Sequence, residues 1–430
     1  MKVYLLAFIF LFLAKPGISQ GHSFYLHRND KVVFYGDSIT DQRLYTTIVE
    51  TYVATRYPQF NVKFINSGVG ADTASGGFGG PVDTRLQRDV IAYKPTVVTI
   101  MLGLNDGGYK AETQDVDQKY FDGMRHIVNT LRSALPGVRI TVMEESLYDD
   151  YTRPSALPVT DINLDYNQLV VSYGDWLANY AQQAGLHFAD LHADFVHTLQ
   201  KAMELDPTLA TQIFPDHLHP SFAGHMILAK ELLQSWGARP LVSEVAIDAS
   251  REQPHLKVAK DATVSDLIDN GGGIRWTELD NALPLPLSQW QTKWIDGPIV
   301  ALIIKSSDIA QTLNEEPLKI TGLKRGVYAL KIDHEKIGSF NSQELAAGIN
   351  LAMMNTPMSA QALEVYNAVL QHSDLHYAEW RTVQLPLTEY NLSQTEAAMS
   401  SLNVLEDAVV NKEHNLAQPQ SHTFELIPIS

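Results

Sequence analysis

The sequence predicts a three-layer α/β domain on a parallel sheet, followed by a β-rich and then a helical region. Two observations carry this. Up to about residue 238, short apolar segments with strand character alternate with longer segments whose apolar residues recur at helical spacing. Beyond the turn GARP (237–240) the pattern becomes short strands punctuated by turn residues. At 430 residues the chain has room for two or three domains.

The strands of the first region are KVVFYG (31–36), VKFINSG (62–68), TVVTIMLG (96–103), RITVMEES (139–146) and LHFADL (186–191). They are apolar nearly throughout, as strands of a parallel sheet covered on both faces must be. Helical spacing appears in LYTTIVETYVATRY (44–57), YFDGMRHIVNTLRSAL (120–135), LDYNQLVVSYGDWLANYAQQAG (164–185) and AGHMILAKELLQSW (223–236). Gly185 is the stop signal of the third. Right-handed crossovers would join these elements, and ligands of such sheets bind beyond the carboxyl ends of the strands.

After residue 238, LVSEVAID, HLKVA, IVALIIK, LKITGL and GVYALKID read as strands of an antiparallel module, with NGGG (270–273) and KRG (324–326) as turns. Helical patterning returns in NSQELAAGINLAMM (341–354) and SAQALEVYNAVLQHS (359–373). The division is therefore a leader (1–19), an α/β domain (20–238), a β-sandwich-like module (239–340) and a mostly helical region (341–430) packing on the rest. The connection LDNALPLPLSQW (279–290) is expected to wrap across a surface, and ELAAGINLAMMNTP (344–357) to pack back beside the cleft.

The leader has Lys2, an apolar run from Val3 to Ala14, and small residues Gly17 and Ser19 before Gln20. That is the layout of a secretory signal peptide cut after Ser19, too short to span a membrane. It predicts a secreted or periplasmic protein without a membrane anchor. Cysteine is absent, which removes thiol chemistry and thiolate metal sites. A net charge of −17, from 32 basic and 49 acidic residues, repels phosphate backbones and argues against nucleic-acid binding.

Four motifs fall at predicted strand ends or just before a predicted helix. The first, GDS (36–38), puts Ser38 between a strand and a helix, near the positive end of that helix; the bland reading is a helix cap. The second, NSGVGADT (66–73), has Gly68 and Gly70, which let backbone N–H groups approach a ligand; SGGFGGP (75–81) reads as a loop and lacks a phosphate-binding signature. The third, GLND (103–106), offers the Asn105 amide, or is an ordinary turn. In the fourth, FPDHLHPSFAGH (214–225), one turn brings Asp216 and His219 together. That pairing is the second half of a serine-hydrolase triad. Asp216, His217 and His219 could instead contribute to a metal site, or be solvated.

As an ordered set, Ser38, Gly70, Asn105 and Asp216-x-x-His219-Pro220 resemble the four blocks of the SGNH, or GDSL-like, hydrolase family over roughly residues 28–238. Ile39 stands where many members have leucine. The resemblance implies a flavodoxin-like SGNH-hydrolase fold and a carboxylic ester hydrolase. Ser38 would be the nucleophile, His219 the general base and then acid, and Asp216 its orienting partner. Backbone N–H groups of Ser38 and Gly70 and the Asn105 side chain would form the oxyanion hole. Losing one such donor typically costs ~10²–10³ in turnover. His217, Asp37 and Asp106 are expected to be structural, with Asp72 and Thr73 steadying the second loop. No cofactor or metal is required.

Secretion would confine the substrates to those met outside the cytoplasm. Family relatives with a signal peptide and a C-terminal β module look like carbohydrate esterases, so the resemblance implies O-acyl esters, most of all acetyl esters on carbohydrate. The alternatives are lysophospholipid or thioester hydrolysis, and a non-catalytic carbohydrate-binding protein on the same scaffold. Trp276, Trp290, Trp294 and Trp380 could stack on sugars, but a core or interface position is the expected one.

Overall fold

The computed structural model describes residues 24–109, 113–149, 151–152, 166–293, 296–387, 390 and 393–429. The expected leader and Trp294 lie outside them. Five strands, β1 (Lys31–Gly36), β2 (Lys63–Gly68), β3 (Val97–Met101), β4 (Arg139–Met143) and β5 (His187–Ala189), form a sheet in the order β2-β1-β3-β4-β5. All adjacent pairs are parallel. Gly36 at the end of β1 pairs with Gly68 on one side and Met101 on the other. The segments that follow these three strands therefore leave the sheet side by side at one edge.

The helices around the sheet are α1 (Ser38–Asp41), α2 (Leu44–Arg56), α3 (Val82–Asp89), α4 (Gln114–Ala134), α5 (Tyr166–Ala184), α6 (Ala193–Leu205) and α7 (Phe222–Ser235). The core face of α4 carries Tyr120, Met124, Ile127, Val128 and Leu131 at helical spacing. It starts at 114 rather than 120 because Thr113 caps it and Asp115 and Asp117 occupy its first turn. Buried on most sides, α2 is rich in threonine. Thr51 and Thr55 each return their hydroxyl to the carbonyl four residues back, at 2.7 Å, so burial leaves no orphan donor there.

Nine further strands follow: β6 (Glu244–Asp248), β7 (His255–Lys260), β8 (Ala262–Asp269), β9 (Ile274–Asp280), β10 (Pro317–Thr321), β11 (Val327–Ile332), β12 (Glu335–Asn341), β13 (Ile349–Asn350) and β14 (Ser421–Ile429). They form two sheets, β8-β9-β14-β11-β12 and β13-β10-β6-β7. Val245, Ile247, Leu318 and Ile320 of one sheet share a core with Trp276, Leu330, Phe424 and Leu426 of the other.

Three expectations change. IVALIIK (299–305) is not a strand but lies in a helix, α8 (Gly297–Ser306), which Pro298 starts at its first turn. A short run apolar on every side satisfies either period. Tertiary burial decides it: Ile299, Val300, Leu302 and Ile303 enter the core of the α/β domain, where α8 packs on α6. The connection expected to wrap across a surface is instead buried continuously from Ala282 to Trp290. Its Leu285, Leu287 and Trp290 also join the α/β core. Finally, a boundary at 340 would cut a sheet, because β14 inserts between β9 and β11.

Two long helices, α9 (Pro357–Tyr377) and α10 (Ser393–Leu416), complete the chain's helical part. One face of α9 packs on α2 and the β2 edge, and the other on α10. Among the described residues no helix is long and apolar enough to cross a membrane.

Candidate active site

Asp37 breaks β1 and caps α1, its Oδ1 accepting the Ile39 N–H at 3.0 Å. This turn is four residues long, so Ser38 meets local N–H groups rather than the field of a long helix. It fits because residue 68 is glycine: a Cβ there would lie 2.2 Å from the Asp41 nitrogen. Ser38 is left half-buried, its hydroxyl facing the loop before α7.

In that loop Asp216 organises a tight turn. Its Oδ1 accepts N–H groups of Leu218 (3.0 Å) and His219 (2.7 Å), and its Oδ2 lies 2.8 Å from His219 Nδ1. Burial pushes the Asp216 carboxyl up, but hydrogen bonds from the backbone and ring of His219 and the backbone of Leu218 outweigh it and hold the group below the usual range. A carboxylate at Nδ1 fixes the proton there and leaves Nε2 as an acceptor. His219 Nε2 lies 2.9 Å from Ser38 Oγ. The three side chains thus form a continuous relay able to take a proton from the serine as it attacks a carbonyl. His217, at φ 68°, turns away: its ring is buried and its Nδ1 lies 2.6 Å from the Asp149 carbonyl. Asp216, His217 and His219 therefore do not converge as ligands.

Asn105 leaves the end of β3. Its Nδ2 donates to Asp37 Oδ2 at 2.8 Å and to the Asp72 carbonyl at 3.1 Å, while Oδ1 accepts the Tyr109 hydroxyl at 2.8 Å. The Gly70 N–H donates to Asp41 Oδ2 at 3.2 Å. Two of the three groups expected to donate to an oxyanion thus sit beside the Ser38 turn, already engaged by carboxylates. That role for Asp41 had no signal in the sequence. Asp41 Oδ2 also accepts from Arg381 at 3.3 Å, tying the second loop to the C-terminal region across 340 residues.

Beneath the site lies a second charge cluster. Arg85, fully buried, donates to Asp72 (2.9 Å), Asp89 (2.8 Å) and the Ser67 carbonyl (3.0 Å), and stacks 4.7 Å over Tyr35. Trp380 closes this cluster by donating its indole N–H to Asp89 at 2.8 Å. Trp276 and Trp290 are likewise buried, in the β module and against Phe222 and Tyr366 respectively, so none of these three presents a face to a sugar. Thr73 donates to the Gly76 carbonyl at 2.7 Å, steadying the glycine loop as expected.

Asp106 binds the Ala74 N–H through Oδ1 at 3.0 Å, while Oδ2 has no partner. Burial first, then the neighbouring Asp72, pushes its carboxyl up to about 7. A folded-state value raised above the unfolded one stabilises the fold below the unfolded value and is lost as pH rises through the folded one. Wild type should therefore lose on the order of 1.4 kcal/mol per pH unit between pH ~4 and ~7 from this group alone. Denaturant titrations across that range should show the Asp106→Asn variant with a shallower decline. Parallel wild-type and variant curves would refute the account.

Residues 34–227 match the family model described as GDSL-like Lipase/Acylhydrolase. An acetylxylan esterase of Geobacillus stearothermophilus is 28% identical over 229 residues, covering 48% of this chain and 94% of that protein. A solved structure of a gut microbial diltiazem-metabolizing enzyme superposes with TM-score 0.81 at 25% identity, covering 95% of this chain and 99% of that one.

Proposed function

The chain belongs, through residues 34–227, to the GDSL-like lipase/acylhydrolase family and is a carboxylic ester hydrolase of the SGNH type; from that premise we propose that it removes short acyl groups, chiefly acetyl, from hydroxyls of carbohydrates. The observation that carries the chemistry is the relay from Ser38 Oγ through His219 to Asp216, at 2.9 and 2.8 Å. Ser38 attacks the ester carbonyl while His219 Nε2 takes its proton. His219 returns that proton to the departing sugar alkoxide, and water then releases the acyl group by the same relay. The charge on the carbonyl oxygen is met by N–H groups of Ser38 and Gly70 and by the Asn105 amide. The last two are shared with Asp41 and Asp37, so the oxyanion draws donors away from carboxylates already in place.

The acetyl-carbohydrate assignment is supported by the likeness of the α/β domain to an acetylxylan esterase. The expected leader would deliver the chain to where polysaccharide is met. A second reading, acyl esters of small molecules, is favoured by the match along nearly the whole chain to a diltiazem-metabolizing enzyme. Acetate release from acetylated xylo-oligosaccharides should be compared with hydrolysis of p-nitrophenyl acetate and p-nitrophenyl octanoate. The expected order is xylo-oligosaccharide acetate above p-nitrophenyl acetate, and acetate above octanoate by on the order of tenfold or more in kcat/KM. Preference for octanoate would overturn the acyl assignment, and inactivity on the sugar with activity on p-nitrophenyl acetate would favour the second reading.

A further inference from the structure

Where α9 and α10 lie against α2, six ionisable side chains meet, five of them buried and Glu406 partly so. Glu50 comes from α2, His372 and His376 from α9, Glu406 and Glu413 from α10, and Glu379 from the π-helical turn Ala378–Gln384 that extends α9. One His372 nitrogen, Nδ1, lies 2.7 Å from Glu50 Oε1, and the other, Nε2, lies 3.0 Å from Glu406 Oε1. His376 Nε2 faces the Asn66 carbonyl at 3.0 Å. Glu50, His372 and Glu413, all buried, each offer one oxygen or nitrogen, and the three atoms lie within 4.8 Å of one another. Glu413 is 3% exposed, and its Oε2 has no hydrogen-bond partner.

Hydrogen bonding alone leaves this arrangement incomplete. One imidazole serves two carboxylates, and a third carboxylate points into the group with an acceptor unused. The Glu413 carboxyl also stands in hydrogen-bond contact with that of Glu50, and two buried carboxyls side by side are costly unless a cation or a shared proton offsets them. The donor set favours the cation. Glu406 on Nε2 is the carboxylate that orients a metal-bound imidazole from behind, holding the proton on Nε2 and leaving Nδ1 for the metal. One imidazole nitrogen with two carboxylates suits Zn²⁺ and is poor for Ca²⁺ or Mg²⁺, which take oxygen ligands.

We propose that Glu50, His372 Nδ1 and Glu413 form a Zn²⁺ site that fastens the C-terminal helices α9 and α10 to the α/β domain. It shares no residue with the Ser38 relay, so it is a structural clamp and takes no part in ester hydrolysis.

The test uses the full chain, stripped with chelator, dialysed and titrated with ZnCl₂ by calorimetry, with MgCl₂ in parallel. Thermal unfolding follows each addition. One Zn²⁺ should bind per chain, Mg²⁺ should not compete, and Tm should rise by a few degrees, since binding to the folded state alone stabilises it. Glu413→Gln, close in shape, should abolish that uptake, and Glu406→Gln should weaken it roughly 10–100-fold by loosening the imidazole. Absence of Zn²⁺ uptake by wild type overturns the proposal whatever the variants do, as does equal uptake by wild type and Glu413→Gln. A wild type that binds nothing while Glu413→Gln melts higher would show that a shared proton, and no metal, fills the gap.

Discussion

Ser38→Ala should lower kcat for ester hydrolysis by on the order of 10⁶ while leaving the fold intact. In a serine hydrolase the nucleophile and its base act as one unit, so removing the hydroxyl costs about as much as removing the whole relay. What remains comes from donors that still bind the carbonyl. On the proposed mechanism those would be the N–H groups of residue 38 and Gly70 and the Asn105 amide, none of which needs the Ser38 side chain. Stability should barely move. Ser38 is half-buried and its hydroxyl meets His219, itself 30% exposed, so water can replace the lost contact. The measurements are kcat on p-nitrophenyl acetate, labelling by a fluorophosphonate, and a melting curve. A folded Ser38→Ala protein with near wild-type turnover would sink the assignment of the nucleophile.

The second large effect is on stability. Arg85→Met should destabilise the protein by about 3–5 kcal/mol, because it leaves Asp72 buried without its cation and Asp89 with Arg88 alone. Both carboxylates are fully buried, and Arg85 also caps the Ser67 carbonyl. The damage should reach catalysis too, since the Asp72 carbonyl holds Asn105 and Asp89 holds Trp380. Adding Asp72→Asn to Arg85→Met should recover part of the loss, since it removes the carboxylate left without a cation while Asp89 keeps Arg88. Denaturant midpoints of the single and double variants decide it. A single variant within about 1 kcal/mol of wild type would mean that the carboxylates find other compensation.

The sequence spoke clearly where chemistry demands a residue type at a strand end. Ser38, Gly70, Asn105, Asp216 and His219 could be singled out because each follows a recognisable strand or precedes a helix, and register then sets the first three at one edge. The alternation of strands and helices was equally legible, since burial on both faces leaves few polar residues in a strand. What stayed hidden depends on contacts between distant residues. Nothing local in Asp41 announces Arg381, and nothing in Trp380 announces Asp89. The helix over IVALIIK is hidden for a different reason: a run apolar on all sides has no period to read, so only its neighbours decide its form. The Glu50–His372–Glu413 group is silent because its members lie on helices far apart in the chain, each ordinary in itself.

The place of β14 has a consequence for how the protein is made. All five strands of the first sheet lie within residues 31–189, and that sheet can assemble while the rest of the chain is still being synthesised. The β8-β9-β14-β11-β12 sheet cannot. Its middle strand comprises residues 421–429, and until these emerge β9 and β11 have no partner between them. During that interval two strands present open edges, which are templates for pairing with another chain. Until β14 is in place one sheet can be finished while another waits for its keystone, and loss of residues 421–429 should turn a folding intermediate into a permanent, aggregation-prone product.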